Sequence, residues 1–531
     1  MPNRRDLLKV SAGVATGALL SPVPWHLIRD TALLSENWPG IPIPARGEIR
    51  TKATNCALCP AGCPIKARCV GDQPVSLSGA GCAFGVGAHH LPYHPARLRQ
   101  GPIAEANAAF AGRKPEDRVA ILDLNPGRTA SWTMRRAAAA LNGFYIAPEA
   151  NPVAYDLHAA RTVISVGSHL MEGWGTPSNV IAARKNFKLI HVGAIETPTA
   201  MLADKWIRIP AGSEEEFVAK FSLKTDGPTV VIGDVPGIAE LNRAMNAPVY
   251  ARPEAPVPDA WKKEAAPVTA LNAISDDAIR YLVIDEASAV AYIPWHEIAP
   301  KLAKNATVVT VTVARGGYAR HATYALPAAI FPEITEDIPP AIDQVAETFR
   351  IATPLVAQPP NVTSAAEFAA AFAGVPSHEA LRERADAIHK TGRAIEGKSA
   401  DEFWKALNDG QVWIGERVDR PAAVGQTTKT DRLSYGELTI VPAPWTPALV
   451  SPLMTKLYEE SNLRLAPNSI AVHPDDMRDC GAHGVLQTRL GKCAVNVIAD
   501  PTVPRGVLLA GSSPGIRDIC GRGDTAKVVR A

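Results

Sequence analysis

Beyond the weakly apolar stretch Val10–Leu20, this 531-residue chain has no apolar run near the roughly 20 residues that a bilayer-spanning helix needs. The body of the chain is therefore expected to carry no membrane helix. Charge bias is missing as well: 55 Lys and Arg against 53 Asp and Glu leave a net charge of +2. No basic run with interleaved aromatics occurs, and the two absences together exclude a nucleic-acid footprint. There is no short-period repeat and no compositionally disordered stretch, although 46 prolines imply many loops and crossings. A clean A-x-A cleavage site is also lacking. With 47% hydrophobic and 20% charged residues, the chain is globular and long enough for roughly three or four domains.

The N-terminus carries Arg4 and Arg5, then Leu7, Leu8 and Lys9, ahead of that short apolar stretch. This order reads as a twin-arginine export signal. Pro22 and Pro24 oppose the competing reading, a long amphipathic helix of a cytosolic protein. The twin-arginine route carries folded proteins, so a cofactor can be inserted before export. The expected location is periplasmic, with membrane association through partners or through a retained signal segment. Residues 1–45 are assigned to this signal and to an extended connector ruled by Pro39, Pro42 and Pro44.

Cys56, Cys59 and Cys63 form a C-x2-C-x3-C run, and Cys82 follows after 18 intervening residues. Soft thiolates select zinc or iron–sulfur clusters. Zinc sites usually show two C-x2-C knuckles, so three cysteines in one run plus a distant fourth favour a [4Fe–4S] cluster on Cys56, Cys59, Cys63 and Cys82. A zinc knuckle and a disulfide pair remain the alternatives, the latter disfavoured because cysteines spaced so closely pair poorly. Cys69 alternates with Ile65 and Ala67 and reads as a small buried residue, the reserve ligand of the set. Cys480, Cys493 and Cys520 read as buried thiols or one disulfide. His89, His90 and His94 read as surface or hydrogen-bonded histidines, because Pro92 interrupts any helix that would align them as ligands.

The hydrophobic pattern gives the fold class as α/β. Pro64–Val70 and Pro74–Ser78 alternate around Gly71-Asp72 as a hairpin, inside an Fe–S domain at 46–112. Apolar strands beginning at Val119, Thr162 and Phe187 alternate with helical stretches, and the pattern recurs at Thr229, Tyr281 and Thr307. This predicts parallel sheets covered on both faces, divided into α/β domains at 113–226 and 227–375. Gly233-Asp234-Val235-Pro236-Gly237 reads as a strand-to-helix turn. Residues 376–441 read as a helical connecting region, and short strands with glycine turns at 442–531 predict a small β-barrel.

In this order the chain resembles the molybdopterin (DMSO reductase-type) oxidoreductase family. Gly81-Cys82-Ala83-Phe84-Gly85 through Tyr93-His94-Pro95-Ala96-Arg97-Leu98 resembles the family's fourth-cysteine segment. Ala203-Asp204-Lys205-Trp206 through Gly212-Ser213-Glu214 resembles its A-D-x-W segment. Tyr324-Ala325-Leu326-Pro327 resembles its A-D-x-x-L-P motif, and Ile470 to Asp476 the start of its pterin-capping barrel. The resemblance implies an N-terminal Fe–S domain, two doubly wound α/β domains and a C-terminal six-stranded-type barrel, with molybdopterin guanine dinucleotide as the family's cofactor.

The departures point the same way. Catalytic relatives place Ser, Cys, selenocysteine or Asp on the metal; in the corresponding 143–156 stretch only Glu149 and Asp156 could serve. Relatives usually carry Lys or Arg two residues after the fourth cysteine, and here Phe84 stands there, without charge or donor. The guanosine-reading D-P-R-x-T is replaced by Gly193-Ala194-Ile195-Glu196-Thr197. Together with the signal and Asn37-Trp38-Pro39, these features resemble the molybdopterin-binding-like subunits of menaquinone reductase complexes and the related part of alternative complex III. That resemblance implies an iron–sulfur subunit without molybdenum turnover. Its implied partners are a ferredoxin-type Fe–S subunit, a multihaem cytochrome c and a quinone-binding integral membrane subunit. A complete molybdopterin-dependent oxidoreductase catalytic subunit, and a pure scaffold, are the other classes left open.

Overall fold

A computed structural model describes residues 47–79, 82–148, 153–392, 395, 399–422, 432–443, 468–477 and 481–530, together with Asp6, Lys9, Val10, Gly13, Val14 and Gly17. Arg4 and Arg5 of the expected export signal, the connector at Pro39, Pro42 and Pro44, Glu149 and Cys480 lie outside the described residues.

The chain first builds a three-stranded antiparallel sheet from Ile49–Asn55, Pro64–Val70 and Gln73–Gly79. Strand alternation turns Ile65, Ala67 and Cys69 inward, as the period of two requires. The tight turn at Gly71 takes φ 60°, which glycine adopts without a Cβ penalty. This hairpin starts one residue after Cys63 and returns the chain to Cys82.

Next comes an all-parallel five-stranded sheet in the order Tyr324–Pro327, Leu302–Thr312, Ile279–Asp285, Val119–Asp123 and Phe144–Ile146. The central stretches of its strands are apolar on both faces because alternate residues feed separate cores. Val119, Ile121 and Val283 pack into one cluster, while Ala120, Leu122 and Leu282 pack into another. A second parallel sheet has the order Thr229–Ile232, Thr162–Val166, Lys188–Gly193 and Lys205–Arg208.

This topology corrects the consecutive division at 226/227. Strands on both sides of that boundary share sheets: Thr229–Ile232 joins the second sheet, and Val119–Asp123 pairs directly with Ile279–Asp285. The second sheet is thus inserted within the first. Strands buried on both faces carry the same apolar signature, so their sheet membership is not written in their composition.

Residues 376–441 are not only a helical connection. After helices Ala380–His389 and Ala400–Asn408, the strand Trp413–Arg417 returns to pair with Ala346–Phe349. The barrel is closed and six-stranded, in the order Leu438–Pro442, Val507–Ala510, Ser469–Val472, Gly491–Ala499, His483–Thr488 and Thr525–Arg530. It begins at Leu438, ahead of the expected 442. Ile440, Ile470, Leu486, Leu508 and Ala526 fill its interior. Among the described residues, no helix is long and apolar enough to cross a membrane.

Candidate functional site

The cysteine run forms a pinched loop. The Cys56 amide donates to the Cys63 carbonyl at 2.9 Å, and the Gly62 amide donates to the Cys59 carbonyl at 3.2 Å. Cys56 and Cys63 are buried, Cys59 is half-buried, and Cys82 is exposed as the residue capping the short helix Ala83–Gly87. All four are free thiols. Burial, with the neighbouring Cys59, Cys82 and Cys63, pushes the Cys56 thiol well up. Burial does the same to Cys59, raised to about 12, and to Cys63, raised to about 11, with Cys82 adding to both. The four sulfurs are therefore within electrostatic reach of one another. Among the described residues, however, no three His, Cys, Asp or Glu side chains are set to hold a metal ion.

The donor chemistry fits a four-thiolate group, and one further side chain bears on the fit. Arg350 is 5% exposed and donates to the carbonyls of Ala61, at 3.3 Å, and Gly62, at 2.9 Å. Its Nε is buried without a hydrogen-bond partner. A guanidinium buried beside thiols matches an anionic centre there, since an uncompensated buried cation is costly.

Phe84 is buried and packs with Leu58 and Ala83 against the cysteine loop. Cys69 is fully buried, in the same apolar cluster as Cys56 and Cys63. The Y-x-P-x-R-L segment holds layers together. Its Arg97 is buried, forms a fork-like ion pair with Glu333, and reaches the carbonyls of Pro92 and Ala328. These contacts tie the cysteine layer to the segment that follows the edge strand Tyr324–Pro327 of the five-stranded sheet. Asp204 of the A-D-x-W segment accepts from the Leu189 amide and pairs with Arg184 at 3.0 Å, and Trp206 Nε1 donates to the Gly193 carbonyl, fixing the edge of the second sheet.

In open parallel sheets, ligands bind beyond the carboxyl ends of the strands where the winding direction reverses. In the five-stranded sheet that point lies between Val119–Asp123 and Ile279–Asp285, and Asp123 and Asp285 stand opposite each other as the terminal residues. Arg128 fills the gap. Its guanidinium donates to Asp285 at 2.6 Å, Glu336 at 2.9 Å and Asp123 at 3.4 Å. Tyr145 closes the network with a 2.7 Å hydrogen bond to Asp123. Burial opposes the Arg128 charge, but Asp285, Glu336 and Asp123 hold it protonated above its ordinary range. Burial raises the carboxyls of Asp285 and Glu336, while Arg128 pulls both back. The crevice is occupied by the chain's own charges.

The second sheet reverses between Thr162–Val166 and Thr229–Ile232, and here the space is open. Two cavities of about 370 and 360 Å³ meet at Asp234, Arg517 and Arg522, under the barrel. Arg522 donates to the Gly167 carbonyl at 3.2 Å. Arg517 Nη1 is buried without a hydrogen-bond partner. Glu214, Glu215, Asp234, Glu297 and Asp524 also line the first cavity and Glu172 the second, so the positive charge available to an anionic ligand is concentrated where the two meet, at Arg517 and Arg522. The adjacent 193–197 loop takes no part in these linings: Ala194 and Ile195 pack into apolar barrel residues.

Of the acidic candidates for a metal ligand, Asp156 is buried and engaged. One oxygen accepts from the amides of His158 and Ala159, and the other pairs with Arg417 at 2.6 Å. His89 shares a hydrogen bond with the Val86 carbonyl at 3.2 Å, and His94 accepts from the Ala96 amide. Gly237 caps the Ile238–Ala244 helix at φ 88°, consistent with a strand-to-helix turn. Cys493 and Cys520 are free thiols packed against the barrel core. Sequence reasoning missed Arg128, Arg350 and Arg517. The first left a signal, because two apolar parallel strands each end in aspartate.

No protein-family model matches the chain. A curated relative, the menaquinone reductase molybdopterin-binding-like subunit of Nitratidesulfovibrio vulgaris, is 25% identical over 266 residues, 40% of this chain. The match spans only 38% of that relative's own length. Among solved structures, acetylene hydratase from Pelobacter acetylenicus superimposes with a TM-score of 0.64 at 12% identity, covering 86% of this chain and 92% of the other; this likeness concerns the fold. The chain is thus similar over part of its sequence to a molybdopterin-binding-like subunit, and similar in fold to acetylene hydratase.

Proposed function

We propose that the chain is an iron–sulfur subunit of a periplasm-facing, membrane-associated menaquinone reductase complex, serving electron transfer and assembly without molybdenum turnover of its own. The observation that carries this reading is the Arg128 network, which fills the reversal point of the five-stranded sheet with internal ion pairs. Phe84 in place of a cation, and Asp156 with both oxygens engaged, support it. Cys56, Cys59, Cys63 and Cys82 would hold a [4Fe–4S] cluster, which when bound supplies one-electron transfer. The name of the curated relative supports membership in a multi-subunit complex. A ferredoxin-type subunit, a multihaem cytochrome c and a quinone-binding membrane subunit are the proposed partners. Affinity isolation of the exported chain from membranes tests this: co-purification of such subunits with quinone reduction supports it, and a monodisperse chain with no partner overturns it.

A second reading rests on the open cavities of the second sheet, whose Arg517 and Arg522 fit the phosphates of a pterin dinucleotide. It makes the chain a complete molybdopterin-dependent oxidoreductase. Stoichiometric molybdenum or tungsten with extractable pterin supports that reading; iron and sulfide without either metal supports the first.

A further inference from the structure

We infer that Arg350 is the positioning cation of the cysteine loop, supplying from a distant strand junction the positive charge that Phe84 does not provide. This deepens the iron–sulfur reading and rests on it. Arg350 lies between the strands Ala346–Phe349 and Ile351–Ala352, 288 residues from Gly62 in the chain. Nη1 of its guanidinium grips two successive carbonyls, Ala61 and Gly62, immediately before Cys63.

The loop is shaped to receive it. Gly62 takes φ 55°, and a Cβ there would come within 2.8 Å of Arg350 Cδ and 2.9 Å of Nη1. Only glycine permits that approach without displacement. No carboxylate forms an ion pair with Arg350 among the described residues; Asp343, the acidic group nearest in effect, spends its oxygens on Thr176 and Asn179. Among the cysteines, Cys63 is the one within electrostatic reach of the guanidinium. This buried cation, bonded to the Ala61 and Gly62 carbonyls with Nε still unpartnered, holds the backbone between the second and third cysteines and would favour the more negative, reduced state of a centre bound there.

The test compares wild type, Arg350→Gln and Arg350→Lys, each purified anaerobically as the full chain. Removal of the charge should shift the cluster's midpoint potential to more negative values in an EPR-monitored titration, and lysine should restore most of the shift. An unchanged potential in Arg350→Gln at equal iron content would overturn the charge role. Amide hydrogen exchange across residues 59–63 in iron-free protein reads the positioning role separately. Exchange should accelerate in Arg350→Gln; equal exchange would overturn it. Wild type without iron would overturn the parent reading and the charge role together, while the exchange result would still decide whether Arg350 pins the loop.

Discussion

Replacing Arg128 with methionine removes one cation from three carboxylates without leaving a large void. Asp123 keeps the Tyr145 hydroxyl and the Asn125 amide as donors, and Glu336 keeps Ser288. Asp285 loses its 2.6 Å partner in a buried position, keeping only a backbone hydrogen bond from Ala287. Breaking a buried pair from one side typically costs about 3–5 kcal/mol, and that is the expected loss at neutral pH. Urea unfolding followed by tryptophan fluorescence measures it, with Trp132 on the helix that follows Arg128. The pH dependence gives an independent check. Burial already raises the Asp285 and Glu336 carboxyls, and without Arg128 both rise further. The folded variant then binds protons that the unfolded chain releases near the ordinary carboxyl values of 3.8 and 4.5, so its stability recovers as pH falls from neutrality toward those values. A loss below about 1 kcal/mol, or a deficit that does not shrink on acidification, would show that the network does not act as a buried plug.

Three further outcomes follow from named contacts. Glu333→Gln breaks the fork that ties Arg97 to the segment after the edge strand Tyr324–Pro327; limited proteolysis should release the 47–112 layer faster than in wild type, and an unchanged digestion pattern would refute the link. Glu286 is pushed up to about 8 by burial, against an unfolded value of 4.5. The folded chain keeps that proton while the unfolded chain has lost it, so its contribution to stability falls between those pH values by at most about 1.4 kcal/mol per pH unit; Glu286→Gln should flatten this part of the urea-midpoint profile. Gly62→Ala forces a Cβ against Arg350 at φ 55° and should cost about 1 kcal/mol or more, with a matching rise in exchange of the loop amides; a neutral substitution would mean the loop has another way to accommodate the guanidinium.

Much of the architecture was legible in local pattern. The alternation of Ile65, Ala67 and Cys69 gave the hairpin, and the apolar runs gave the parallel strands, because each physical cause acts within a few residues. The insertion of one sheet within the other was not legible, since Val119–Asp123 and Thr162–Val166 are both buried at every position and nothing in such runs names a neighbour. The cysteine spacing located the candidate site, whereas Arg350, hundreds of residues away, carries no local signature. Arg517 reads in the sequence as one more charged residue near a turn. Only the closed barrel brings it over the second sheet, where its Nη1 lacks a partner. The 193–197 replacement suggested an eroded dinucleotide site, and Ala194 and Ile195 of that loop pack against apolar barrel residues.

The most direct measurement is metal and acid-labile sulfide analysis of the anaerobically purified chain, paired with EPR after reduction. The expected result is iron and sulfide in equal amounts, in the ratio of a single [4Fe–4S] cluster, with a reducible signal, neither molybdenum nor tungsten, and loss of the signal in Cys82→Ser. One equivalent of zinc without iron, or stoichiometric molybdenum with substrate turnover by the isolated chain, would contradict it.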